Sequence, residues 1–421
     1  MYQRIVLKNG TRLILVPDDH TKAATIFVLY RVGSRYEPAR INGVSHFIEH
    51  MMFKGTKRRP RTVDISRELD AHGAEYNAFT GKDVTGYYVK IESRHFGLAL
   101  DMLHDMLSNS KFEAKELDQE RKVIMEEIHM YADNPMMHIE DMIEGEIFRG
   151  APLGMSIAGD AKSMHTISRS SMLAYKNAYY DPARTVVIAS GNFGASALSE
   201  IGKRFGFVAK KKAGKEFSRF RGKQTAPRIA LEFKETEQAQ LALGFPAYSY
   251  TDRRLPALSV LGNILGGTMS SRLFITVRER KGLAYFVRAG ADAFEDAGTF
   301  VVRAGLTKSR IDEAIGVICA ELIKVKRAGV TPAELRRAKD NIRGHLALEL
   351  EDSSDLAAFF GRQELYTGKI KTPEEKMAEI DAVTGSEVRA AARDVIRKEA
   401  ASLAVIGPFK DEKKLLGAIK L

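Results

Sequence analysis

Gly43-Val44-Ser45-His46-Phe47-Ile48-Glu49-His50 is the stretch from which the rest of the chain is read, and it has the form H-x-x-E-H. Its surroundings predict a helix near Gly43 to Phe53. On a helix two histidines four residues apart project from one face, about one turn from each other, so two imidazoles can reach one tetrahedral zinc ion. Glu49 lies three residues after His46, on the same side. It sits too close to the helix axis to be the obvious third ligand, but it is well placed to take a proton from a water activated by the metal. With 10 histidines and at most 54 acidic residues in 421, a random chain would contain this pattern roughly 0.03 times. The plainer alternative is an amphipathic helix whose polar face happens to carry two histidines.

A zinc site that keeps one position open for water needs a third protein ligand. The acidic run Lys115 to Met130, KELDQERKVIMEEIHM, is the best source. Read as a helix, it places Leu117, Glu120, Ile124, Glu127 and Ile128 on one face, at steps of three, four and seven. Carboxylates on an apolar face need a partner, because an unpaired buried charge is expensive. Glu127 is therefore expected as the third ligand, and Glu120 as a carboxylate that orients a ligand histidine or balances the charge of the site. Glu126 points about 100° away and reads as solvated. The other histidines, His129 among them, have no companion at ligand spacing and read as structural or surface residues.

The length of 421 residues, at about 150 per domain, predicts two to three domains. Two runs of similar grammar flank a polar, lysine-rich seam. The first has strands near Gln3 to Lys8, Arg12 to Pro17 and Ala24 to Arg31 ahead of the motif helix, and closes with a strand at Arg184 to Ser190. The second has strands near Ile229 to Phe233 and Gln240 to Phe245, a helix over Arg254 to Leu265, and a closing strand within Ala401 to Ile406. This is a weak internal duplication, and two equal α+β domains fit the length better than one large unit. The expected division is 1–208, a linker over 209–227 with little to bury, and 228–421. Thr331 to Glu334 and Thr384 to Glu387 match the capping box, and Thr372-Pro373 opens another helix.

Composition narrows the function classes. At 44% hydrophobic, 28% charged and 8% aromatic, the chain is of ordinary globular type. No stretch approaches the ~20 consecutive apolar residues of a membrane span, so no membrane partner is expected. The net charge of +11 is spread along the chain. Its denser clusters, Lys54 to Arg61 and Lys210 to Lys212, come without any nucleic-acid signature, so no nucleic acid is expected either. The opening MYQRIVLKNG has no signal or presequence character, which predicts the cytoplasm. The lone Cys319, in the helical run IDEAIGVICAELI, reads as buried packing.

Taken together, GVSHFIEHMMFKGT, GAEYNAFTGKDVTGYY, ERKVIMEEIHMYADNP and GGTMSSRLFITVRERKGLAY resemble the pitrilysin and mitochondrial processing peptidase family of inverted-motif zinc peptidases, in family order and over nearly the whole chain. The absence of a presequence makes the chain most similar to the short bacterial-type members. The resemblance implies His46, His50 and Glu127 as metal ligands, one zinc per chain, Glu49 as general base and Glu120 at the family's additional acidic position. It implies that Gly73 to Tyr88 holds the strand on which an extended peptide pairs, with Asn77, Ala78 and Thr80 of the N-A-x-T pattern touching substrate backbone. Arg278 and Tyr285, seven apart, match the family's pair that reaches the bound peptide and the developing oxyanion. His72 stands where a glycine is common in relatives, and Lys281 replaces a frequent arginine.

The fold implied is α+β: two similar α/β-sandwich domains, each a mainly antiparallel mixed sheet with helices packed on it, forming a clam-like chamber. The second half has no H-x-x-E-H, so one half is expected to cut and the other to clamp, in a homodimer. The function implied is a zinc metalloendopeptidase acting on unstructured peptides or presequence-like segments. The alternatives are a non-catalytic scaffold and a subunit that needs a distinct partner.

Overall fold

The structure is a computed structural model that describes residues 2–207 and 214–421. Lys210 to Lys212 and the first part of the expected linker lie outside the described residues. Strands β1 (Gln3–Val6), β2 (Arg12–Pro17), β3 (Ala23–Tyr30), β4 (Glu75–Thr80), β5 (Thr85–Glu92) and β6 (Thr185–Gly191) form one sheet, in the order β1-β2-β6-β3-β5-β4. Strands β7 (Arg228–Phe233), β8 (Gln238–Ala247), β9 (Ala284–Ala293), β10 (Gly298–Thr307) and β11 (Ser402–Gly407) form the other, in the order β7-β11-β8-β10-β9.

The duplication suspected from sequence is real at this level. In each sheet the last strand in the chain inserts beside the first of the repeat and runs parallel to it, as β6 does with β2 and β11 with β7, while the other pairings are antiparallel. These inserted strands, TVVIASG and SLAVIG, are buried at every position, as apolar runs covered on both faces must be. By contrast β4, EYNAFT, has no fully buried residue and forms an edge. The fold is thus the mixed, mainly antiparallel α+β arrangement that the sequence predicts.

The chain forms two compact units, and neither is a contiguous segment. One comprises Met1–Ile128, Met155–Ser218 and Ala347–Lys371; the other comprises His129–Gly154, Arg219–Leu346 and Thr372–Leu421. Division at 209–227 separates the strands of the two sheets but not the helices that cover them. Helix Ser353–Thr367, from the second half of the sequence, lays Ala357, Phe360 and Leu365 on Ile14, Leu29 and Ile188 of the first sheet. Helix Pro135–Ile147, from the first half, lays Ile139, Ile143 and Ile147 on Ala242, Val301, Ala404 and Ile406 of the second. Both approaches are close enough to need glycine. A Cβ at Gly361 would stand 2.7 Å from both Ile188 Cδ1 and Leu29 Cδ1, and one at Gly244 would stand 2.7 Å from Ile147 Cδ1. The opposite face of the first sheet carries the main core, into which helices Val44–Met52, Phe96–Asn109 and Ala114–Asp133 pack.

The seam is also less bare than its composition predicts. Phe217 lies under the Arg35 guanidinium, 3.7 Å from its centre, within the first unit, and Phe220 packs edge-on against Phe148 within the second. The expected caps form at Thr331, Thr372 and Thr384, each with its partner glutamate three residues on, and Cys319 is fully buried.

Candidate metal centre

The helix Val44–Met52 buries Val44, Phe47, Ile48, Met51 and Met52 in the core and turns His46, Glu49 and His50 to its partly exposed side. The helix Ala114–Asp133 buries Leu117, Glu120 and Ile124, leaving Glu127 half-buried at the rim of the same stripe and Glu126 exposed. Packing of these two apolar faces brings the polar groups together. His46 Nε2 and His50 Nε2 are 3.2 Å apart, and Glu127 Oε2 lies 3.7 Å from the first and 3.5 Å from the second. A tetrahedral zinc with bonds of about 2.0–2.1 Å requires ligand atoms about 3.3 Å from one another. The triangle fits that ion. Among the described residues, no other group of three His, Cys, Asp or Glu side chains gathers donor atoms in this way.

The charges are arranged accordingly. Burial lowers His46, and the neighbouring His50 lowers it further, to about 4, so it presents a neutral ring. His50 also suffers from burial, but hydrogen bonds and charge from Glu120 and Glu127 raise it to about 9. The bond from His50 holds Glu127 below the usual carboxylate range. His50 Nδ1 is 2.9 Å from Glu120 Oε1, and Lys54 Nζ is 2.5 Å from Glu120 Oε2. With Nδ1 turned to Glu120, Nε2 of His50 is the ring atom that faces His46 and Glu127. Burial works to raise Glu120, and its bonds to His50 and Lys54 outweigh it and hold the group low. His46 Nδ1 is buried without a hydrogen-bond partner among the described residues.

Glu49 points toward the sheet. Thr80 Oγ1, at the end of β4, donates to Glu49 Oε2 at 2.6 Å. Burial raises the pKa of Glu49, and the Thr80 bond opposes that rise. Asn77 is exposed on the edge strand, where its Oδ1 accepts from the Ala78 amide at 2.8 Å. Arg278 and Tyr285 belong to the second unit, where the Arg278 guanidinium lies 5.5 Å from the centre of the Tyr285 ring and 4.7 Å from that of Phe274. Tyr285 is 70% exposed. Sequence reasoning missed Lys54 and the tie between Thr80 and Glu49. Lys54 was detectable, since it follows His50 by four residues and continues the same helical spacing.

Comparison with known proteins agrees with this geometry. Residues 12–161 match the insulinase family, peptidase family M16, and residues 166–342 match the peptidase M16 inactive domain. A Bacillus subtilis protein named as the uncharacterized zinc protease YmxG is 37% identical over 97% of this chain and 98% of its own length. An uncharacterized zinc protease of Streptomyces coelicolor is 36% identical over 98% of this chain and 90% of its own. A protease from Helicobacter pylori has the same fold, with a TM-score of 0.91 at 23% identity over 97% of this chain and 99% of that one. Among the described residues no helix is long and apolar enough to cross a membrane. Identity at this level along nearly the full length makes the chain a member of the insulinase peptidase family, M16.

Proposed function

We propose that this protein is a zinc metalloendopeptidase that hydrolyses unstructured peptides or presequence-like segments, with one zinc per chain. The observation that carries the proposal is the triangle of His46, His50 and Glu127 donor atoms, 3.2 to 3.7 Å on its edges, beside Glu49. These three side chains would hold the ion, which would supply Lewis-acid polarisation of the scissile carbonyl and a more acidic water at neutral pH. Glu49 takes the proton of the attacking water and passes it to the leaving amine. Glu120 fixes the ring of His50, and Lys54 offsets the charge of Glu120.

The strand β4 ends its sheet, the place where an extended chain adds as a further strand, with Asn77 and Ala78 against the substrate backbone. Arg278 and Tyr285 stabilise negative charge developing on the carbonyl oxygen. A homodimer belongs to the same proposal and rests on the family resemblance alone; a cytoplasmic location is proposed with it. The test is incubation of the purified chain with a mixed peptide library, with and without chelator, and mapping of the products by mass spectrometry. Chelator-sensitive cleavage with zinc near one per chain is the expected result. A metal-free chain that cleaves nothing would point instead to a scaffold, and activity that appears only with another protein would point to a partner-dependent subunit.

A further inference from the structure

Between β3 and the motif helix runs Gly33-Ser34-Arg35-Tyr36-Glu37, whose middle forms a single 3-10 turn, Ser34–Tyr36. Its last residue, Glu37, is 3% exposed. Its Oε2 accepts from the Gly43 amide at 2.6 Å and from Asn42 Nδ2 at 2.9 Å, and its Oε1 accepts from the Ser45 amide at 2.7 Å. Gly43 is the N-cap of the helix that carries His46, Glu49 and His50, and it offers no side chain for capping. Glu37 therefore does from outside the helix what a capping side chain does from within: it satisfies amides of the first turn and places negative charge at the positive end. Gly43 has φ +91°, and a Cβ there would lie 2.5 Å from Ala158 O, so the turn that presents these amides admits only glycine.

The other end of the same segment grips the turn that follows β4. The Ser34 amide donates to Gly81 O and the Arg35 amide to Lys82 O, at 3.0 and 3.2 Å. The fully buried Arg35 guanidinium bonds Asp83 at 2.9 Å. Gly81 is the residue after Thr80, whose hydroxyl holds Glu49. A closed loop of contacts results: from Glu49 through Thr80 to residues 81–83, back through Arg35 to Glu37, and through the first turn of the helix to Glu49 again.

We propose that Arg35 and Glu37 are positioning residues of the hydrolytic centre, a brace that fixes the metal-binding helix against the end of β4 and so sets where Glu49 stands relative to the ligands. This rests on the proposed function above. Stability alone is a poor reason for these groups. Burial pushes Glu37 up to about 7, against the bonds from Ser45, Asn42 and Gly43 that pull it down, and a buried charge is commonly replaceable by a well-packed apolar residue without loss of stability.

The test uses the full chain loaded with zinc or with cobalt. Glu37→Gln keeps the shape, removes one acceptor and sets an amide donor against backbone donors. The expected result is a fall in kcat on the order of 10- to 100-fold, the scale of a displacement of about 1 Å at a reacting group, with KM changed by less than about twofold, together with a shifted visible absorption band of the cobalt form. Asn9→Ala is the control. It removes a buried hydrogen bond to Phe205 O elsewhere in the same unit, and it should leave both the cobalt band and kcat at wild type. If Glu37→Gln does not fold, Asn42→Ala, which removes one of the three donors to Glu37, is read by the same criteria. A wild-type cobalt band and kcat in the Glu37 variant, or an equal loss in Asn9→Ala, would overturn the proposal. A wild-type chain that binds metal but cleaves no peptide would defeat the functional reading, while the cobalt band would still decide whether Glu37 sets the ligand geometry.

Discussion

Thr80 Oγ1 donates to Glu49 Oε2 at 2.6 Å, so one oxygen of the expected base is already engaged by the strand on which substrate is expected to pair. The bond restricts how the carboxylate can turn, and in the proposed mechanism it is the other oxygen that would take the proton of the water. Thr80→Val keeps the branched shape and deletes the donor. It is expected to lower kcat about tenfold, the scale of one hydrogen bond to a charged group, with zinc content unchanged. Steady-state kinetics beside metal analysis will check this, and an unchanged kcat would remove Thr80 from the account.

Separating ligand from base requires two carboxamides. Glu49→Gln should retain zinc and lose nearly all turnover, because the three donor atoms survive. Glu127→Gln should weaken zinc retention in a chelator competition, whereas Glu126→Gln, on the exposed side of the same helix, should not. The reverse order between Glu126 and Glu127 would overturn the assignment of the helix face.

Glu120 bridges His50 and Lys54 at 2.9 and 2.5 Å. Its conversion to Gln should cost roughly 10- to 100-fold in metal affinity or activity, the usual penalty for losing a carboxylate behind a ligand histidine. Lys54→Met should cost less, since it leaves the bond to His50 in place. Equal affinities across wild type and both variants, measured by competition with a chelating dye, would show that the chain behind His50 is incidental.

A pH test is available away from the metal. Glu334 is held at about 2 by the paired bonds from Arg272, with help from Thr331 and against a burial that raises it. In the unfolded chain it titrates near 4.5. Its contribution to stability is therefore complete above about pH 4.5 and fades as pH falls from there through about 2. Glu334→Gln should lose about 1–2 kcal/mol at pH 7, a value reduced for the partial exposure of the pair, and the gap from wild type should close near pH 2. Urea midpoints at several pH values measure it, and a gap independent of pH would rule this linkage out.

Close packing of helix Ser353–Thr367 on the first sheet gives the last prediction. Gly361→Val would drive methyl groups into Ile188 and Leu29. A loss of about 1–3 kcal/mol is expected, as for other overpacked cores, read as a lower urea midpoint with an unchanged slope. A midpoint equal to that of wild type would mean that the helix can move away from the sheet at no cost.

What the sequence made legible follows from period and spacing. H-x-x-E-H at helical period predicts two histidines and a carboxylate on one side of the helix, and the steps from Leu117 to Ile124 to Glu127 put Glu127 rather than Glu126 toward the buried stripe, where its carboxylate lies 3.5 to 3.7 Å from the two histidines. The two closing strands were visible as β-branched runs. Arg278 and Tyr285 came only from family resemblance, since nothing in their own spacing distinguishes them from surface residues. The exchange of helices Pro135–Ile147 and Ser353–Thr367 could not be read at all: an apolar face says that a helix must be covered, but not by which sheet. Glu37 was hidden for a related reason, because its partners are backbone amides, which carry no sequence signature.

That exchange has a genetic consequence. A gene cut at the codons for 209–227 would encode two polypeptides, each with one sheet stripped of a helix that the other polypeptide carries. Neither should be well behaved when made alone, whereas co-expression should let them complement each other, because each half of the sequence carries a helix that the other half's sheet needs for cover.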